Sequence, residues 1–474
     1  MAFEINLEES YELKGYWWLP SNPQTTILGT LNLESRQGIY LHLEGNLQGN
    51  LEQQDLGNSE IVLGRTYKGQ DITLWNCSRM RQITRLTFNF VGIQSRYRCQ
   101  AAYIGQHFPV SHEIKFSVAE IWLHHLDEWV NRSGFVLPRP GSTEIRIEYN
   151  PPQPIKLYRD SQTTVTVEFS TSAPTYELVQ KSVHMTQSSF LKITNDEPQC
   201  LDDYLDTNKM ICSLIALAVR GPVYPTRIRL KADNKSSNPV SAYFALEDRK
   251  GSRIKLPPEM VLSFSQITDR VESIFRTWCN KWSLMKPIYA IYHGDVHGRD
   301  LYLEQKFLGM TQALESYHRR FIGGQYQSED EYMETVYPNL VRAIPCNICP
   351  SYRDSLRDKM KHMYEYSLRK RLGELISLAP EAVTIRLLGD KTTDKNQFIE
   401  NVVCTRNYFT HYTQELEAKA IRGPALYWLY NKMKILCEIM FFQEMGFELT
   451  EIDTFILENC EYDQELEMGL RATS

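Results

Sequence analysis

The chain has 474 residues, of which 42% are hydrophobic and 23% are charged, and its formal net charge is −6. This composition is typical of globular proteins and excludes a collagen-like or wholly disordered chain. The acidic balance provides no overall basic surface, so contact with nucleic acid would require a local basic patch. At about 100–200 residues per domain, the length predicts two or three domains.

The sequence predicts a cytoplasmic protein without a membrane partner. Residues 1–15 are acidic and lack the apolar core of a secretory signal. The most apolar stretch, 435–442, contains Glu438 and is much shorter than the roughly 20 residues that a membrane-spanning helix needs. Ten cysteines in a chain of this length do not indicate a disulfide framework, so we expect them to be reduced.

Residues 1–299 are expected to be β-rich. Short runs of Val, Ile, Thr, Tyr and Phe alternate with turn residues, which indicates antiparallel, sandwich-like sheets. Typical runs are 27–33, 39–43, 72–75, 85–90, 144–149 and 163–169. The proline-rich segment 151–154 is interpreted as a boundary, which divides this half into regions 1–150 and 151–299.

From residue 300 onward the apolar residues follow a helical period. The first stripe consists of Leu303, Phe307, Met310, Leu314, Tyr317 and Phe321. Further stripes predict helices within 356–375, at 396–412 and at 449–457. Another helix should begin at Gly423 and Pro424, end near Gly446 and occupy the centre, because it is apolar nearly all round. The predicted fold is therefore multidomain α+β, with an all-α bundle over residues 300–474.

Asp295 and His297 form the first candidate site. They lie in the sequence Gly-Asp-Val-His-Gly-Arg at 294–299, after a strand-like run at 288–292. Such a turn is typical of two-metal phosphoesterases, in which Asp and His bind the ions. The further motifs of that site, Gly-Asp-x-x-Asp and Asn-His, are absent from the sequence. A metallophosphoesterase is therefore a remote alternative.

Cys346 and Cys349 form a Cys-x-x-Cys pair between prolines. Such a pair can be half of a zinc site or a redox pair, but structural zinc needs four ligands and the sequence has no second Cys-x-x-Cys. Loop cysteines are the default interpretation, with a metal as a weak alternative, and no cofactor is predicted.

Residues 352–371 contain seven basic and three acidic residues. Arg369, Lys370 and Arg371 are consecutive there, and they are candidate RNA contacts because clustered cations bind phosphates. A solvated helix face is the alternative interpretation.

The third candidate site is the helix predicted at 396–412. At about 100° per residue, its core stripe consists of Phe398, Val402, Phe409 and Tyr412. Arg406 and His411 fall on the opposite side, with Asn407 and Thr410 between them, and Thr410 is a further candidate RNA contact. Ile399 and Val403 lie on the same outward side, which predicts a partner surface.

The residue types suit metal-free cleavage of RNA. A histidine near neutrality can transfer the proton of the ribose 2′-OH or of the leaving 5′-oxygen, and a guanidinium can bind the scissile phosphate. Arg406 and His411 lie about 140° apart on one helix and converge poorly on one phosphate. Two copies of the helix across a two-fold axis would complete the site, which predicts a homodimer or a higher even oligomer.

The segment Arg-Asn-Tyr-Phe-Thr-His at 406–411 resembles the R-N-x-x-x-H signature of HEPN ribonucleases. Segments 14–20, 27–31 and 41–47 resemble the N-terminal domain of the ApeA family of bacterial anti-phage proteins, which carry a C-terminal HEPN domain. Segment 303–320 resembles the helix that opens the bundle of that family.

This resemblance implies an endoribonuclease that stops growth after infection, uses no metal and dimerises through the motif helix. Carried over by position, Arg406 and His411 would be catalytic and Asn407 would support them. The N-terminal half would sense a phage-derived trigger. The alternative is a non-catalytic HEPN module that binds nucleotides or RNA. Arg357 and His362 fit the looser Arg/His pattern on an earlier helix and are interpreted as surface charge.

Overall fold

The computed structural model describes residues 4–47, 58–87, 90–136, 148–172, 184–232, 238–245, 253–297 and 301–471. The chain forms two compact units, residues 1–276 and residues 277–474. The first unit is rich in strands and the described part of the second is helical, which confirms the predicted multidomain α+β fold.

The N-terminal unit is built on antiparallel strands. They are β1 Tyr11–Leu19, β2 Asn22–Glu34, β3 Gly38–Leu43, β4 Ser59–Thr66, β5 Asp71–Thr87, β6 Phe90–Cys99, β7 Ala101–Ile104, β8 Phe116–Leu123, β9 Phe135–Val136, β10 Glu148–Tyr149, β11 Ile155–Arg159, β12 Thr163–Thr171, β13 Gln187–Gln199, β14 Pro225–Lys231 and β15 Val240–Tyr243. The helices of this unit are α1 Leu126–Val130, α2 Leu201–Val219 and α3 Phe264–Ile267.

Six of these strands close into a barrel. The hydrogen-bonded order is β5, β4, β1, β2, β3 and β6, and β6 pairs again with β5. Leu31 and Leu41 are fully buried and point into the barrel, as the alternating pattern predicts. A Cβ atom on Gly64 would lie 2.2 Å from the ring of buried Trp17, so a glycine is needed there. The sequence indicated the strands but not the closure of the barrel.

Beyond β5 the same sheet continues through β7, β15, β14, β8, β13, β12 and β11. Strand β8 precedes residue 150 and β13 follows it, yet the two are paired. The proline-rich segment 151–154 therefore does not interrupt the sheet, and the predicted division at residue 150 has no counterpart in it. Residues 88–89 and 144–147 of two predicted strands lie outside the described residues.

The remaining helices build the C-terminal bundle. They are α4 Val271–His297, α5 Leu303–Tyr317, α6 Glu329–Glu331, α7 Tyr337–Arg342, α8 Pro350–Met360, α9 Leu368–Leu378, α10 Glu381–Leu388, α11 Thr392–His411, α12 Gln414–Glu417, α13 Gly423–Glu444, α14 Leu449–Leu457 and α15 Cys460–Arg471. A π-helical turn, His318–Ile322, follows α5.

Helix α13 is the centre of the bundle, as predicted. Met433 and Ile439 are fully buried, and so is nearly every residue in its second half. Buried Glu438 accepts a hydrogen bond from the Tyr292 hydroxyl at 2.7 Å, which satisfies one of its oxygens. Gly446, with φ of +91°, follows the end of the helix.

The strand predicted at 288–292 is wrong, because these residues belong to α4. Met285, Ile288, Tyr289 and Tyr292 are buried at helical spacing. The apolar run is too short to separate a strand from a helix by itself.

Candidate active site

Helix α11 carries the Arg/His motif at its C-terminal end. Tyr412 follows the helix with φ of +52°, and its N–H donates to the Tyr408 carbonyl at 2.6 Å. His411 is therefore the last helical residue, and it is exposed to solvent. The prediction that Tyr412 belongs to the core stripe is wrong: its side chain is 66% exposed because the backbone leaves the helix there.

The opposite face of α11 is anchored in the bundle. Phe398, Val402 and Phe409 are buried, as predicted, and Phe409 lies edge-on to Phe307 of α5 at 6.0 Å. Fully buried Thr405 accepts a hydrogen bond from the Ile421 N–H at 2.9 Å, which ties the loop before α13 to the motif helix. These contacts fix the direction in which the motif side chains point.

Arg406 is held by two oxygens. Its Nη1 donates to Asn407 Oδ1 at 3.1 Å, and its Nη2 lies 3.7 Å from Glu315 Oε2 of α5. The side chain is 35% exposed, so the guanidinium is positioned but still reaches solvent. Thr410 Oγ1 donates to the Arg406 carbonyl at 2.8 Å and is exposed. Glu315 was not predicted, because periodicity within one helix does not indicate which residue of another helix faces it.

Glu315 belongs to a chain of polar contacts that extends into the bundle. Its successive pairs are Glu315–Arg319 at 3.0 Å, Arg319–Glu365, Glu365–Arg371 at 3.7 Å, Arg371–His318 at 3.0 Å and His318–Glu374 at 2.8 Å. The surface charge of Arg406 is therefore connected to a buried histidine and arginine through alternating charges.

Arg371 is not an RNA contact, and this prediction is wrong. Its side chain is 1% exposed. The guanidinium donates to the carbonyls of Gly323, Gly324 and Tyr366 at 2.7, 3.2 and 3.0 Å. A buried arginine needs such partners because an unpaired charge in the interior is costly. Arg371 therefore joins α9 to the loop after α5.

Arg369 and Lys370 remain candidate RNA contacts. Arg369 is exposed and pairs with Glu400 on the outer side of α11. The Lys370 ammonium lies 3.6 Å from the ring centre of Tyr366 and 4.2 Å from that of Tyr326. Both cations therefore have partners within the chain, with which a phosphate would have to compete.

One basic residue near the motif was missed in the sequence. The Arg422 guanidinium lies 4.6 Å from the ring centre of Tyr408 and pairs with Glu417 at 2.9 Å. The Glu417 carboxylate raises the pKa of Arg422 above its usual value. Tyr408 lies within the motif, so Arg422 adds positive charge beside it.

The predicted partner surface is smaller than expected. Ile399 is 7% exposed within the single chain, and its Cδ1 lies 3.9 Å from the Cβ position of Gly373 on α9. The prediction that it points outward is wrong, because α9 covers that side of α11. Val403 is only partly buried and remains a candidate for a dimer interface.

The first candidate site has a different structure from the one predicted. Asp295 and His297 lie on helix α4, not on a turn after a strand, and Gly298 and Arg299 lie outside the described residues. Asp295 is 6% exposed and faces Gly309, and its burial raises the pKa to about 7. The side chain is directed into the bundle, away from any substrate in solvent.

The Cys346 and Cys349 side chains are exposed thiols in front of helix α8. The pKa of Cys349 is lowered mainly by a hydrogen bond with the Ser351 hydroxyl and, to a smaller extent, by one from the Tyr352 N–H. Across the described ranges, His, Cys, Asp and Glu side chains form no group of three or more that could bind a metal ion. In the same ranges no helix has the length and apolarity to span a membrane.

Two family models match the chain. The model of ApeA N-terminal domain 1 matches residues 12–278, and the model of the Apea-like HEPN domain matches residues 308–451. The second match contains the Arg/His motif on α11 and also Glu315 on α5. Comparison with curated proteins and with solved structures gave no match.

Proposed function

The chain belongs to the ApeA family of anti-phage proteins with a HEPN domain, and from this premise we propose that it is an endoribonuclease that cleaves RNA without a metal ion during phage infection. The family assignment supports an anti-phage HEPN-type effector. One observation carries the proposal of catalysis: Arg406 and His411 both lie at the C-terminal end of α11 and reach solvent, and Glu315 and Asn407 hold the arginine.

In the proposed reaction, a histidine removes the proton of a ribose 2′-OH, and that oxygen attacks the adjacent phosphorus. The bond from phosphorus to the 5′-oxygen breaks, and this oxygen takes up a proton. The products are a 2′,3′-cyclic phosphate and a 5′-hydroxyl. Arg406 binds the non-bridging oxygens and stabilises the charge that develops on them.

Each α11 helix offers one histidine and one arginine on its outward side. We propose that two chains associate through the face containing Val403, so that the histidines of both serve as base and acid on one phosphate. The N-terminal unit would act as sensor and regulator that responds to a phage-derived trigger in the bacterial cytoplasm.

RNA cleavage by the full-length protein in EDTA tests the chemistry. We expect cleavage to persist with the chelator and to be lost in His411→Ala and Arg406→Ala. His362→Ala and Arg357→Ala are matched controls on α8 and the turn after it, where both residues are exposed. Loss of cleavage in the controls but not in the motif variants would refute the assignment. Retention of RNA without cleavage would identify a binding module instead.

A further inference from the structure

The surface of the N-terminal barrel has a hollow whose basic and aromatic side chains are not part of the HEPN motif. It has a volume of about 450 Å³ and lies over strands β1, β2, β3, β5 and β6. Ligand pockets for small molecules usually have volumes of about 300–1,000 Å³. The hollow is therefore large enough for a nucleotide-sized group.

Five residues that line the hollow form one continuous row across the barrel. Lys14 is opposite Thr30, Thr30 is opposite His42, His42 is opposite Arg96, and Arg96 is opposite Arg81. Residues directly opposite each other in antiparallel strands have their side chains on the same face. The register therefore places three cations and a histidine side by side.

The row lies on the solvent side of the barrel. The residues that follow or precede it along the strands, Gly29, Leu43 and Ser95, are buried, whereas Arg81 and Arg96 are exposed. Alternation along a strand places neighbouring side chains on opposite faces. A ligand can therefore reach the row from solvent without opening the barrel.

Within the described residues, the row places like charges side by side. Arg81 and Arg96 are directly opposite each other, an arrangement in which like charges repel. Arg96 packs 4.3 Å from the ring centre of Tyr40. Burial, and to a smaller extent the charge of Arg96, lowers the pKa of His42. Lys14 pairs with Glu12 at 3.2 Å, and both side chains are exposed.

Glu44 is the acidic residue among the described residues that line the hollow, and Glu12 pairs with Lys14 beside it. An anion that bridged Arg81 and Arg96 would relieve the repulsion between them. Two guanidinium groups side by side suit a phosphate, which accepts several charge-assisted hydrogen bonds at once.

Exposed aromatic rings border the cations. Tyr67 lines the hollow and is 59% exposed, and its ring lies edge-on to Tyr16 at 5.7 Å. The Tyr67 N–H donates to the Lys14 carbonyl at 3.0 Å, which fixes the turn that carries the ring. Exposed aromatic side chains beside basic residues on a sheet are typical of surfaces that stack nucleic-acid bases. An acidic peptide would use the cations but not the rings.

We propose that this hollow binds a nucleoside phosphate, with Arg81 and Arg96 on the phosphate and Tyr67 against the base. The ligand is a free nucleotide or one residue of a single-stranded nucleic acid. Its use as the trigger signal rests on the proposed function, whereas binding itself does not. Binding of a nucleoside phosphate in the hollow would then be the means by which the N-terminal unit acts as a sensor.

Binding of ATP and of a fluorescent single-stranded DNA oligonucleotide to the full-length protein tests the proposal. DNA lacks the 2′-OH, so it is not cleaved by the proposed reaction. We expect Arg96→Gln and Arg81→Gln each to weaken binding about tenfold, the effect of losing one charge-assisted hydrogen bond. Arg159→Gln removes an exposed arginine from β11 at the far end of the sheet and should change binding less than twofold.

Further measurements distinguish a free nucleotide from a nucleic-acid strand and define the results that would overturn the proposal. Binding of ATP alone would identify a free nucleotide, and tighter binding of the oligonucleotide would identify a strand. Equal affinity in the Arg81→Gln/Arg96→Gln variant, or no binding of either probe to the wild type, would overturn the proposal. Competition by inorganic phosphate as strong as by ATP, or preferred binding of polyglutamate, would also overturn it. His411→Ala should bind both probes normally, so that this result is independent of the nuclease.

Discussion

Glu315 is expected to position Arg406 for catalysis, and Glu315→Gln removes its charge while it keeps the shape of the side chain. The nearest atoms of the two groups are 3.7 Å apart, beyond the range of a hydrogen bond, so their interaction is mainly Coulombic. In the variant the guanidinium keeps Asn407 as its partner but loses the carboxylate that faces it across α5 and α11.

The magnitude follows from the distance and the exposure. Unit charges 3.7 Å apart attract each other by about 4–5 kcal/mol at an effective dielectric constant of about 20. Arg406 is 35% and Glu315 22% exposed. Screening by solvent and the entropy of holding both side chains therefore reduce the net value to about 1 kcal/mol. If this energy is lost in the transition state, kcat/KM falls roughly fivefold.

The assay is the initial rate of cleavage of a fluorogenic RNA by the full-length protein. Glu465→Gln is the matched control, because Glu465 pairs with Lys434 at 3.0 Å, is about as exposed as Glu315 and belongs to helix α15. We expect the cleavage rate of the control to stay within about twofold of the wild-type rate, because a surface ion pair away from the motif contributes little free energy. An unchanged or higher rate in Glu315→Gln would refute the positioning role.

Three further predictions follow from burial. Arg371→Met should destabilise the protein by about 3–5 kcal/mol in denaturant unfolding, because it leaves buried partners unpaired. Arg369→Met should have little effect, and equal stability of the two variants would contradict the role of Arg371 in joining α9 to the loop after α5. Burial raises the pKa of Asp295 from 3.8 to about 7. Ionisation of Asp295 should therefore lower the free energy of unfolding as pH rises from about 4 to about 7, by up to about 4 kcal/mol. Asp295→Asn should make the thermal stability depend less on pH in this range. Val403→Asp should yield inactive monomers in analytical ultracentrifugation, and an active monomer would exclude the shared site.

Many helices of the bundle could be predicted because each buries one face, and the apolar residues of that face recur with the helical period. Phe398 and Val402 follow the helical period and are buried, and α14 has the predicted bounds 449–457. The positions of Arg406 and His411 on α11 could be predicted in the same way because they depend only on local geometry, whereas their catalytic role comes from the family resemblance and stays a prediction.

The errors come from contacts between elements. Ile399 lies about 80° around α11 from Phe409, but α9 covers it there. Arg371 lies two residues after Arg369 in a basic run, yet partners that make its burial possible come from the loop after α5. Tyr412 was assigned by extending a helix by one residue, and the left-handed backbone at that residue reverses its exposure. Such contacts have no periodic signal in the sequence.

The order of the strands has a consequence for biosynthesis. The last strand of the large sheet, β15, ends at Tyr243, and the barrel is closed already by β6. Roughly 160 residues separate β15 from the Arg/His motif, a delay on the order of 10 s at typical translation rates. Since domains generally fold as they are synthesised, the N-terminal unit can complete its sheet before the motif has been translated. A cell that makes this protein would therefore have the proposed regulator folded before the proposed nuclease site of the same chain exists.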